Sequence, residues 1–586
     1  MAEVIIMPKL GFNMSEGKLV EWYKKEGDSV KKGESLFSVE TDKTNMDIEA
    51  TGDGVVRKLF IEAGDTLPVT MPIAVVAAAD ENIDSVLADA VKALGREDAV
   101  GAASGSQPDT EAGAGTSGAA GGTAGGEESS FDYDIIVVGG GPGGYVAAIK
   151  AAQLGKSVAI VEKERFGGTC LNVGCIPTKA LLRSAEALKE VRESADFGVV
   201  GVDGLQARLD MTFVQKRKQG VVNQLVGGVN GLLRGNGVTI VSGEGVVKDA
   251  HTVEAAGKII TAASLILATG SVAKHLPIPV DPAMEVLTST ELLQLDSLPE
   301  SMVVIGGGVI GIEFAYFLAS VGTRVTVVEF LDRILPMVDE EITQQVEKQL
   351  RDMGIEIHTS AKVTEITACG VCFEKNGKTC CAEADKVLMA VGRGPRLDGI
   401  DCEALGLKTE RGAIVTDETM RTSIDGVYAI GDVNGKAMLA HVASMEGIVA
   451  VENICGHSSV MDYSQVPSAI YLQPEIACVG LTEKQAKEKY GEIKVGRFLL
   501  MANGKAKVAG EERGMVKVIS EAKYGEIVGV HLYCIHATDM IAEAVVAMKL
   551  EATAEEIAAS IHPHPTVSEV MHEAMHALAD GRAIHF

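Results

Sequence analysis

The sequence predicts an α/β protein of several domains, with a small all-β module first and an α+β domain last. Short strand-like segments with Gly and Asp turns fill residues 1–80, and a run rich in Gly, Ala, Ser and Thr reaches residue 130. Beyond it, apolar strands alternate with helical stretches, which is typical of parallel sheets. The 586 residues, 46% of them hydrophobic, are enough for several packed cores.

Charge and the N-terminus exclude several classes of protein. A net charge of −28 argues against general nucleic-acid binding and against an anionic membrane surface. MAEVIIMPKLGF lacks the basic region and apolar core of a secretory signal. No apolar run reaches the roughly 18 residues that cross a bilayer. We therefore expect a soluble cytoplasmic protein in which most of the ten cysteines are thiols and any disulfide is catalytic rather than structural.

The all-β module and the segment after it differ sharply in composition. KLVEWYKKEGDSV, SLFSVETDKTNMDIEAT, GVVRKLFIEAGDTL and PIAVVA predict the strands of a small sandwich or barrel within residues 1–80. Residues 81–130 read as a linker, because their Gly- and Ala-rich end buries too little apolar surface to offset its ordering entropy. Within it, residues 101–130 predict a flexible tether with an end-to-end distance of roughly 30 Å.

A strand, a glycine-rich turn, a helix and a second strand begin the next domain, in YDIIVVGGGPGGYVAAIKAAQLGKSVAIVEKE. Gly139, Gly141 and Gly144 have the spacing that gives a tight turn, a close approach to a pyrophosphate and close helix packing. The pyrophosphate then lies at a helix N-terminus. Glu162 ends the second strand, where it would accept a hydrogen bond from a ribose hydroxyl. These features predict a Rossmann-like, dinucleotide-binding domain.

The same pattern recurs in SMVVIGGGVIGIEFAYFLASVGTRVTVVEF. Its glycines are Gly306, Gly308 and Gly311, and Glu329 follows the second strand. Two such units in one chain predict two dinucleotides. Because a carboxylate pairs with a free 2′-hydroxyl and repels a 2′-phosphate, the second site should prefer NAD to NADP.

Cys170 and Cys175 lie in GGTCLNVGCIPTK, just after the first unit. Their spacing alone is compatible with buried thiols or a redox pair, and it is not a usual zinc half-site. The segment should lie near the carboxyl edge of the sheet, where such folds bind ligands. A flavin there could exchange electron pairs with a disulfide, and a helix N-terminus could stabilise a thiolate.

This segment resembles the redox-active segment of the pyridine nucleotide–disulfide oxidoreductases. ILATGS (266–271), AVGRGPR (390–396) and VYAIGDV (427–433) also fall at the spacing of that family. The resemblance covers about residues 131–586. It implies FAD in the first site, NAD in the second, and a disulfide between Cys170 and Cys175 in the oxidised protein.

The resemblance implies roles for single residues as well. Cys175 would be the thiol beside the flavin, and Cys170 would exchange with the substrate. Lys179 would approach the flavin ring and pair with Glu313, while Asp432 would contact the ribityl region. The further cofactor-binding positions that it implies are Thr269, Gly270 and Gly392.

The resemblance also divides the chain after the linker. It implies an FAD-binding domain at 131–276, an NAD-binding domain at 277–401, a central domain at 402–466 that completes the FAD site, and an interface domain for dimerisation at 467–586.

The C-terminal IHPHPTVSEVMHEA resembles the family's His–Glu dyad, with His564 as the base and Glu569 as the carboxylate that orients it. His562 is the nearby alternative. The resemblance implies that this base reaches the disulfide of the other subunit, so that a homodimer shares its active sites.

Within the family, the chain resembles the dihydrolipoamide dehydrogenases. Glu329 speaks against the NADP-dependent glutathione reductases, and the ending DGRAIHF lacks the extra cysteine pair of a mercuric reductase. The N-terminal module resembles a lipoyl domain, with Lys43 of VETDKTNMDIEAT as the lysine that carries covalent lipoate. A biotin carrier would have Met on both sides of that lysine. The implied partners are the acyltransferase and decarboxylase components of a multienzyme complex.

Two other functions remain open from the sequence: another FAD- and NAD-dependent disulfide reductase, or a scaffold that docks through the lipoyl-like module. The complex served, whether for pyruvate, 2-oxoglutarate, acetoin or glycine cleavage, is also open.

A second cysteine cluster, CGVCFEKNGKTCC, superficially resembles a zinc site. Asn376 and Gly377 predict a hairpin turn between two strands. Residues three apart in a strand, such as Cys369 and Cys372, point to opposite faces, as do the adjacent Cys380 and Cys381. We therefore expect no metal here, and we expect the 21 methionines to fill cores.

Overall fold

The computed structural model describes residues 3–8, 16–40, 45–50, 52–69, 71–78, 81, 83, 131–202 and 206–585. The chain divides into two compact units, Met1–Gly125 and Gly126–Phe586. The predicted tether at 101–130 and the predicted lipoyl-lysine, Lys43, lie outside the described residues.

The first unit is all-β in the residues described. Two antiparallel four-stranded sheets have the orders β1-β8-β6-β3 and β5-β4-β2-β7. Leu19, Phe37, Val56 and Ile73 are completely buried in their shared core. The strands are β1 Glu3–Ile6, β2 Glu16–Trp22, β3 Ser29–Val30, β4 Ser35–Glu40, β5 Asn45–Glu49, β6 Gly54–Leu59, β7 Thr66–Pro68 and β8 Pro72–Ala77.

The second unit contains the α/β elements. Its strands are β9 Tyr133–Val138, β10 Val158–Glu162, β11 Thr239–Ser242, β12 Gly245–Val247, β13 Thr252–Ala255, β14 Lys258–Leu267, β15 Ser271–Ala273, β16 Glu285–Leu287, β17 Ser301–Ile305, β18 Arg324–Val328, β19 Glu356–His358, β20 Ala361–Thr367, β21 Gly370–Lys375, β22 Lys378–Glu383, β23 Lys386–Met389, β24 Arg393–Pro395, β25 Thr409–Glu410, β26 Ala413–Ile414, β27 Val427–Ala429, β28 Ser468–Ile470, β29 Glu475–Gly480, β30 Ile493–Leu499, β31 Met515–Glu521 and β32 Ile527–Cys534.

Its helices are α1 Pro142–Gln153, α2 Gly168–Val173, α3 Cys175–Glu193, α4 Met211–Gly235, α5 Ser289–Leu292, α6 Val309–Ser320, α7 Glu340–Asp352, α8 Cys402–Leu405, α9 Ala440–Ile454, α10 Glu483–Tyr490, α11 Gly504–Ala509, α12 Ala537–Lys549, α13 Ala554–Ala558 and α14 Glu569–Ala579. Short 3₁₀ turns lie at Ser194–Phe197, Gly431–Asn434 and Leu500–Ala502.

The first dinucleotide unit builds a sheet of order β11-β10-β9-β14-β13-β12, with β27 also paired to β14. The pairs β9–β10, β10–β11, β9–β14 and β14–β27 are parallel. Alternate residues of β9 enter two different cores, Ile135 and Val137 on one face and Ile136 and Val138 on the other. A strand covered on both faces reads as a continuous apolar run, which is why the sequence predicts it.

The second dinucleotide unit builds a five-stranded parallel sheet of order β16-β23-β17-β18-β19. Its central strand β17 also serves two cores, with Met302 and Val304 facing one and Val303 and Ile305 the other. An antiparallel sheet of order β20-β21-β22 lies beside it in the chain.

The C-terminal region is an antiparallel sheet of order β28-β29-β32-β31-β30, with helices packed against it. Val516, Val530 and Leu532 of the sheet share a core with Ile541 of α12 and Met571 of α14. The predicted fold class, two Rossmann-like units followed by an α+β domain and preceded by an all-β module, is confirmed. Among the described residues, no helix combines the length and apolarity that a bilayer span requires.

The hairpin β21–β22 corrects the expectation that any disulfide of this chain is catalytic, because it carries a disulfide outside the predicted redox pair. Asn376 and Gly377 form its predicted turn, with φ of 52° and 72°. Cys372 and Cys381 face each other across it and form a disulfide. These two cysteines meet between strands, an arrangement that the spacing of cysteines along either strand does not reveal. The described part of the chain contains no group of three or more His, Cys, Asp or Glu side chains that could hold a metal ion.

Candidate active site

A cavity of about 1720 Å³ in the second unit joins the two glycine turns to the cysteine pair. Most of the predicted site residues line it: Gly139, Gly141, Gly144, Glu162, Cys170, Cys175, Lys179, Thr269, Gly270, Gly306, Gly308, Glu313, Glu329, Gly392 and Asp432. Gly311, His564 and Glu569 are not in this lining.

The first glycine turn is shaped by close backbone contacts. Gly139 has a φ of 110°, and a Cβ there would lie 2.2 Å from the Ala268 carbonyl oxygen. A Cβ on Gly144 would lie 1.8 Å from the Gly139 oxygen. Gly141, at the N-cap of α1, instead faces open space, since no atom lies within 4 Å of its ideal Cβ.

The second glycine turn repeats these contacts. A Cβ on Gly306 would lie 2.4 Å from the Ala390 oxygen, and one on Gly311 would lie 2.1 Å from the Gly306 oxygen. Gly308, at the N-cap of α6, again faces open space. Gly311 therefore acts by letting the helix pack closely, which explains why it does not line the cavity.

The acids that end the second strands are held in matching ways. Glu162 accepts hydrogen bonds from the backbone N–H groups of Gly140 (2.7 Å) and Glu164 (2.8 Å). Glu329 accepts from Gly307 and, at 2.7 Å, from Leu331. Each carboxylate is thus fixed beside its own glycine turn.

These two turns fit dinucleotides. Each presents the free N–H groups of a helix N-terminus, a glycine that leaves room for a pyrophosphate, and a fixed carboxylate at the sheet edge where a ribose would lie. FAD and NAD, which the family resemblance implies, both contain the pyrophosphate and ribose that this arrangement fits. A side chain at Gly141 or Gly308 would occupy the space that each pyrophosphate needs.

Cys170 and Cys175 are brought together by a break between two helices. Cys170 lies in α2, Gly174 follows, and Cys175 is the first residue of α3. Both are thiols in this structure, and they lie close enough for each to shift the pKa of the other. The predicted cysteine pair is therefore adjacent in space.

The two thiols differ in acidity. The neighbouring Cys170 thiol, together with the positive charge of Lys179, lowers the pKa of the Cys175 thiol to about 7. The neighbouring Cys175 sulfur and burial raise the pKa of the Cys170 thiol. Cys175 is consequently the more acidic thiol of the pair and the one that ionises first.

Lys179 is anchored one turn along α3. Its ammonium group donates to both carboxylate oxygens of Glu313, at 2.9 and 3.1 Å, and lies 4.4 Å from the centre of the Tyr471 ring. The Glu313 side chain is 4% exposed and also accepts from the Tyr471 N–H at 2.9 Å. Tyr471 has no motif in the sequence, so sequence reasoning missed it.

Asp432 lies in the 3₁₀ turn Gly431–Asn434 and accepts a hydrogen bond from the Ser271 hydroxyl. The turn is fixed from behind by Glu446, which is 0% exposed. Glu446 accepts from the Gly431 N–H (2.5 Å), the Asn434 amide (2.9 Å) and the Tyr463 hydroxyl (2.5 Å). The signal in the sequence was an acidic residue, Glu446, in the mostly apolar stretch VASMEGIVAV of α9.

The C-terminal dyad lies on the surface of the subunit. His564 Nδ1 is 2.8 Å from Glu569 Oε1, and the His564 side chain is 79% exposed. Burial would raise the pKa of Glu569, but the Thr566 N–H and His564 outweigh it and hold that pKa below its ordinary value. The alternative base, His562, is instead bonded to Glu543 at 2.9 Å and is 9% exposed.

Comparison with known proteins places the chain in a family. The profile described as "Pyridine nucleotide-disulphide oxidoreductase" matches residues 133–447, and the dimerisation domain of that family matches residues 466–575. A biotin/lipoyl profile described as "Biotin-requiring enzyme" matches residues 3–76.

Individual proteins agree with the profiles. A dihydrolipoyl dehydrogenase of Bacillus subtilis is 45% identical over an alignment of 476 residues, and the match covers 78% of this chain and 99% of that protein. One of Corynebacterium glutamicum is 43% identical over 471 residues, again 78% and 99%. The structure of the HOCl-induced flavoprotein disulfide reductase RclA from Escherichia coli is 28% identical, with a TM-score of 0.67, over 76% of this chain and 99% of that one. The chain belongs to the pyridine nucleotide–disulphide oxidoreductase family.

Proposed function

We propose that this protein is a dihydrolipoyl dehydrogenase, which oxidises dihydrolipoyl groups and reduces NAD+. The observation that carries the proposal is the adjacent pair of Cys170 and Cys175 in the cavity that both glycine turns line. The similarity to dihydrolipoyl dehydrogenases over almost their whole length supports the choice of substrate.

The sulfur chemistry follows from the pair. In the oxidised protein Cys170 and Cys175 form a disulfide, and a dihydrolipoyl thiolate attacks the Cys170 sulfur. The bond between the cysteines breaks, and Cys175 leaves as a thiolate. The second thiol of the substrate then displaces Cys170, which closes the lipoyl ring. Two protons and two electrons have left the substrate, and the cysteine pair is reduced.

The surroundings of Cys175 suit a leaving group. With a pKa of about 7, its thiolate is stable at neutral pH, and a thiol of lower pKa leaves a disulfide faster. Lys179 keeps a positive charge beside it. Bound FAD supplies the two-electron chemistry that links this pair to the nicotinamide of NAD+. The first glycine turn with Glu162 and Asp432 would hold FAD, and the second with Glu329 would hold NAD.

The His564–Glu569 dyad completes the site from a second copy of the chain. It does not line the cavity of its own subunit, its imidazole is exposed, and the match to the family's dimerisation domain supports a homodimer. Glu569 fixes the imidazole through Nδ1, which leaves Nε2 to take the proton of a substrate thiol.

The N-terminal module supplies a substrate arm in this proposal. Lys43 carries covalent lipoate. The decarboxylase and acyltransferase components of a multienzyme complex together convert this lipoate to dihydrolipoate. The tether predicted from the sequence would raise the effective concentration of the arm to about the millimolar range, so that the arm can react without a high affinity for the active site. A cytoplasmic location stays a prediction that cell fractionation tests.

Mixed dimers test the catalytic proposal. Holoenzyme with Cys170→Ser should retain yellow FAD and produce no NADH from dihydrolipoamide and NAD+, and His564→Gln should lose most of its turnover. Because a shared site needs one intact cysteine pair and one intact dyad, unfolding and reassembling the two variants together should restore activity.

Each variant reassembled alone is the control and should stay inactive. Normal turnover of Cys170→Ser would contradict the assignment of the cysteine. Mixed dimers as inactive as the controls would contradict the shared dyad. Intact mass, read before and after Lys43→Arg, tests for the lipoyl adduct.

A further inference from the structure

The hairpin β21–β22 carries a second disulfide. We propose that Cys372–Cys381 is a redox-active site that dihydrolipoyl groups open by direct thiol–disulfide exchange, and that its state alters NAD binding. The substrate class rests on the proposed function, whereas the site itself lies outside the catalytic pair.

The hairpin does not need this bond to form. Six residue pairs connect β21 and β22 in unbroken antiparallel register, and the Asn376–Gly377 turn closes them. The two cysteines are nine residues apart and directly opposite, with a Cα–Cα distance of 4.1 Å. A disulfide stabilises most when it closes a long, otherwise open loop. Here the backbone already closes the loop, so the bond can open without loss of the fold.

The two sulfurs differ in accessibility. β22 lies at the edge of its three-stranded sheet, and Cys381 is exposed. Cys372 on the central strand β21 is 6% exposed. An external thiolate therefore reaches Cys381 and leaves Cys372 as the displaced thiol. A dihydrolipoyl group has a second thiol that then closes its ring and releases Cys381.

The exchange balances without a further reagent. One cysteine S–S bond breaks, and one lipoyl S–S bond forms. The dihydrolipoyl group is oxidised, the two cysteines are reduced, and its two thiol protons pass to them. The reverse reaction with a lipoyl group closes the hairpin again, so the ratio of dihydrolipoyl to lipoyl groups sets the state of the site.

A β-bulge connects this site to the catalytic cavity. In the β20–β21 register, Val363 pairs with Phe373 and Glu365 pairs with Cys372, which leaves Thr364 as the extra residue. The Thr364 hydroxyl donates to the Cys372 carbonyl oxygen at 3.1 Å.

Thr364 also lines the cavity together with Glu329 of the second glycine turn. A β-bulge changes the direction of a side chain and is common next to active sites. A change at Cys372 therefore reaches the NAD end of the cavity through Thr364.

Differential alkylation tests the exchange. Oxidised Cys170→Ser holoenzyme is incubated without oxygen in increasing dihydrolipoamide. Free thiols are then alkylated with a light reagent, the remaining disulfides are reduced, and the thiols released are alkylated with the heavy form of the reagent. We expect Cys372 and Cys381 to pass from heavy to light label together, while Cys369 and Cys380 stay light throughout.

A hairpin that keeps its heavy label at millimolar dihydrolipoamide, or that opens only when Cys170 is present, would overturn direct exchange. Light label at both cysteines before any reductant is added would overturn the disulfide itself. Because the labels are read on the hairpin cysteines without any measurement of turnover, failure of this test is distinguishable from failure of the proposed function.

Calorimetric titration of oxidised holoenzyme with NAD+ tests the coupling. The Cys372→Ser/Cys381→Ser variant represents the open state, and Cys369→Ser/Cys380→Ser, which changes one cysteine in the β20–β21 turn and one in β22, is the matched control. We expect the dissociation constant to change by about fivefold or more in the first variant and to stay at the wild-type value in the control. Equal constants in both variants and the wild type would overturn the coupling.

Discussion

The acidity of Cys175 is the property on which turnover most depends, and it can be perturbed one contact at a time. Its pKa falls from an ordinary value of 9.0 to about 7, first through the neighbouring Cys170 thiol and then through the charge of Lys179. Glu313 acts in the opposite direction. We therefore predict that Cys170→Ala raises this pKa most, Lys179→Met raises it less, and Glu313→Gln lowers it.

The size of the effect follows from the same values. A shift of about two units is about a hundredfold change in the equilibrium between thiol and thiolate. At pH 7 the wild type is about half thiolate, whereas a thiol at its ordinary pKa is about 1% thiolate. Alkylation of Cys175 at pH 7 should thus slow by up to about fiftyfold in Cys170→Ala.

The assay is the rate of iodoacetamide modification of the reduced protein against pH, read on the Cys175 peptide by mass spectrometry. The thiolate is the nucleophile, so the rate rises as pH increases through the pKa, with a wild-type midpoint near 7. The exposed Cys369 and Cys380 peptides serve as internal references. A midpoint in Lys179→Met that equals the wild type, or that exceeds the one in Cys170→Ala, would refute the reasoning.

Three further predictions concern stability and specificity. Lys517 is 3% exposed and forms ion pairs with three carboxylates, one of them Glu483, so Lys517→Met should lower the free energy of unfolding by about 3–5 kcal/mol. The control is Lys487→Met, which removes an exposed partner of Glu483 and should lower it by about 0.5 kcal/mol in parallel urea unfolding. Glu446→Ala leaves three donors without their acceptor and should lower the temperature at which FAD fluorescence appears, with Glu446→Gln closer to the wild type. Glu329→Gln should raise kcat/KM for NADP+ relative to NAD+, because it removes the charge that repels a 2′-phosphate; an unchanged ratio would contradict that role.

Much of the fold was predictable because its strands follow simple rules. β9 and β17 are apolar on both faces since helices or sheets cover both, and the glycines between strand and helix avoid backbone oxygens that a Cβ would meet at 1.8 to 2.4 Å. Such constraints admit one residue type, so they can be read from one sequence. The Asn376–Gly377 turn is of the same kind.

Contacts between distant elements were harder to predict. Tyr471, which follows β28, bonds to Glu313 of α6. Tyr463, in the segment after α9, bonds to Glu446 of that helix. No spacing rule relates these positions, because tertiary packing alone brings them together. Cys372 and Cys381 show the intermediate case: the turn residues predict the hairpin, but whether two side chains face each other depends on the exact pairing of the strands, which the turn residues alone leave open.

The arrangement of Lys179 and Glu313 gives direction to the cysteine chemistry. A neutral ion pair would have little effect on a thiol equally distant from both charges. Here both groups line the cavity, but Glu313 is 4% exposed and Lys179 is 29% exposed, and at Cys175 the positive charge acts more strongly on the thiol pKa than the carboxylate does. The pair therefore presents its positive end to the sulfur, and the buried carboxylate, fixed by the Tyr471 N–H, keeps the ammonium in place. The cation stabilises the thiolate that leaves the disulfide, and the lower pKa of Cys175 favours it over Cys170 as the leaving sulfur, so the substrate meets Cys170.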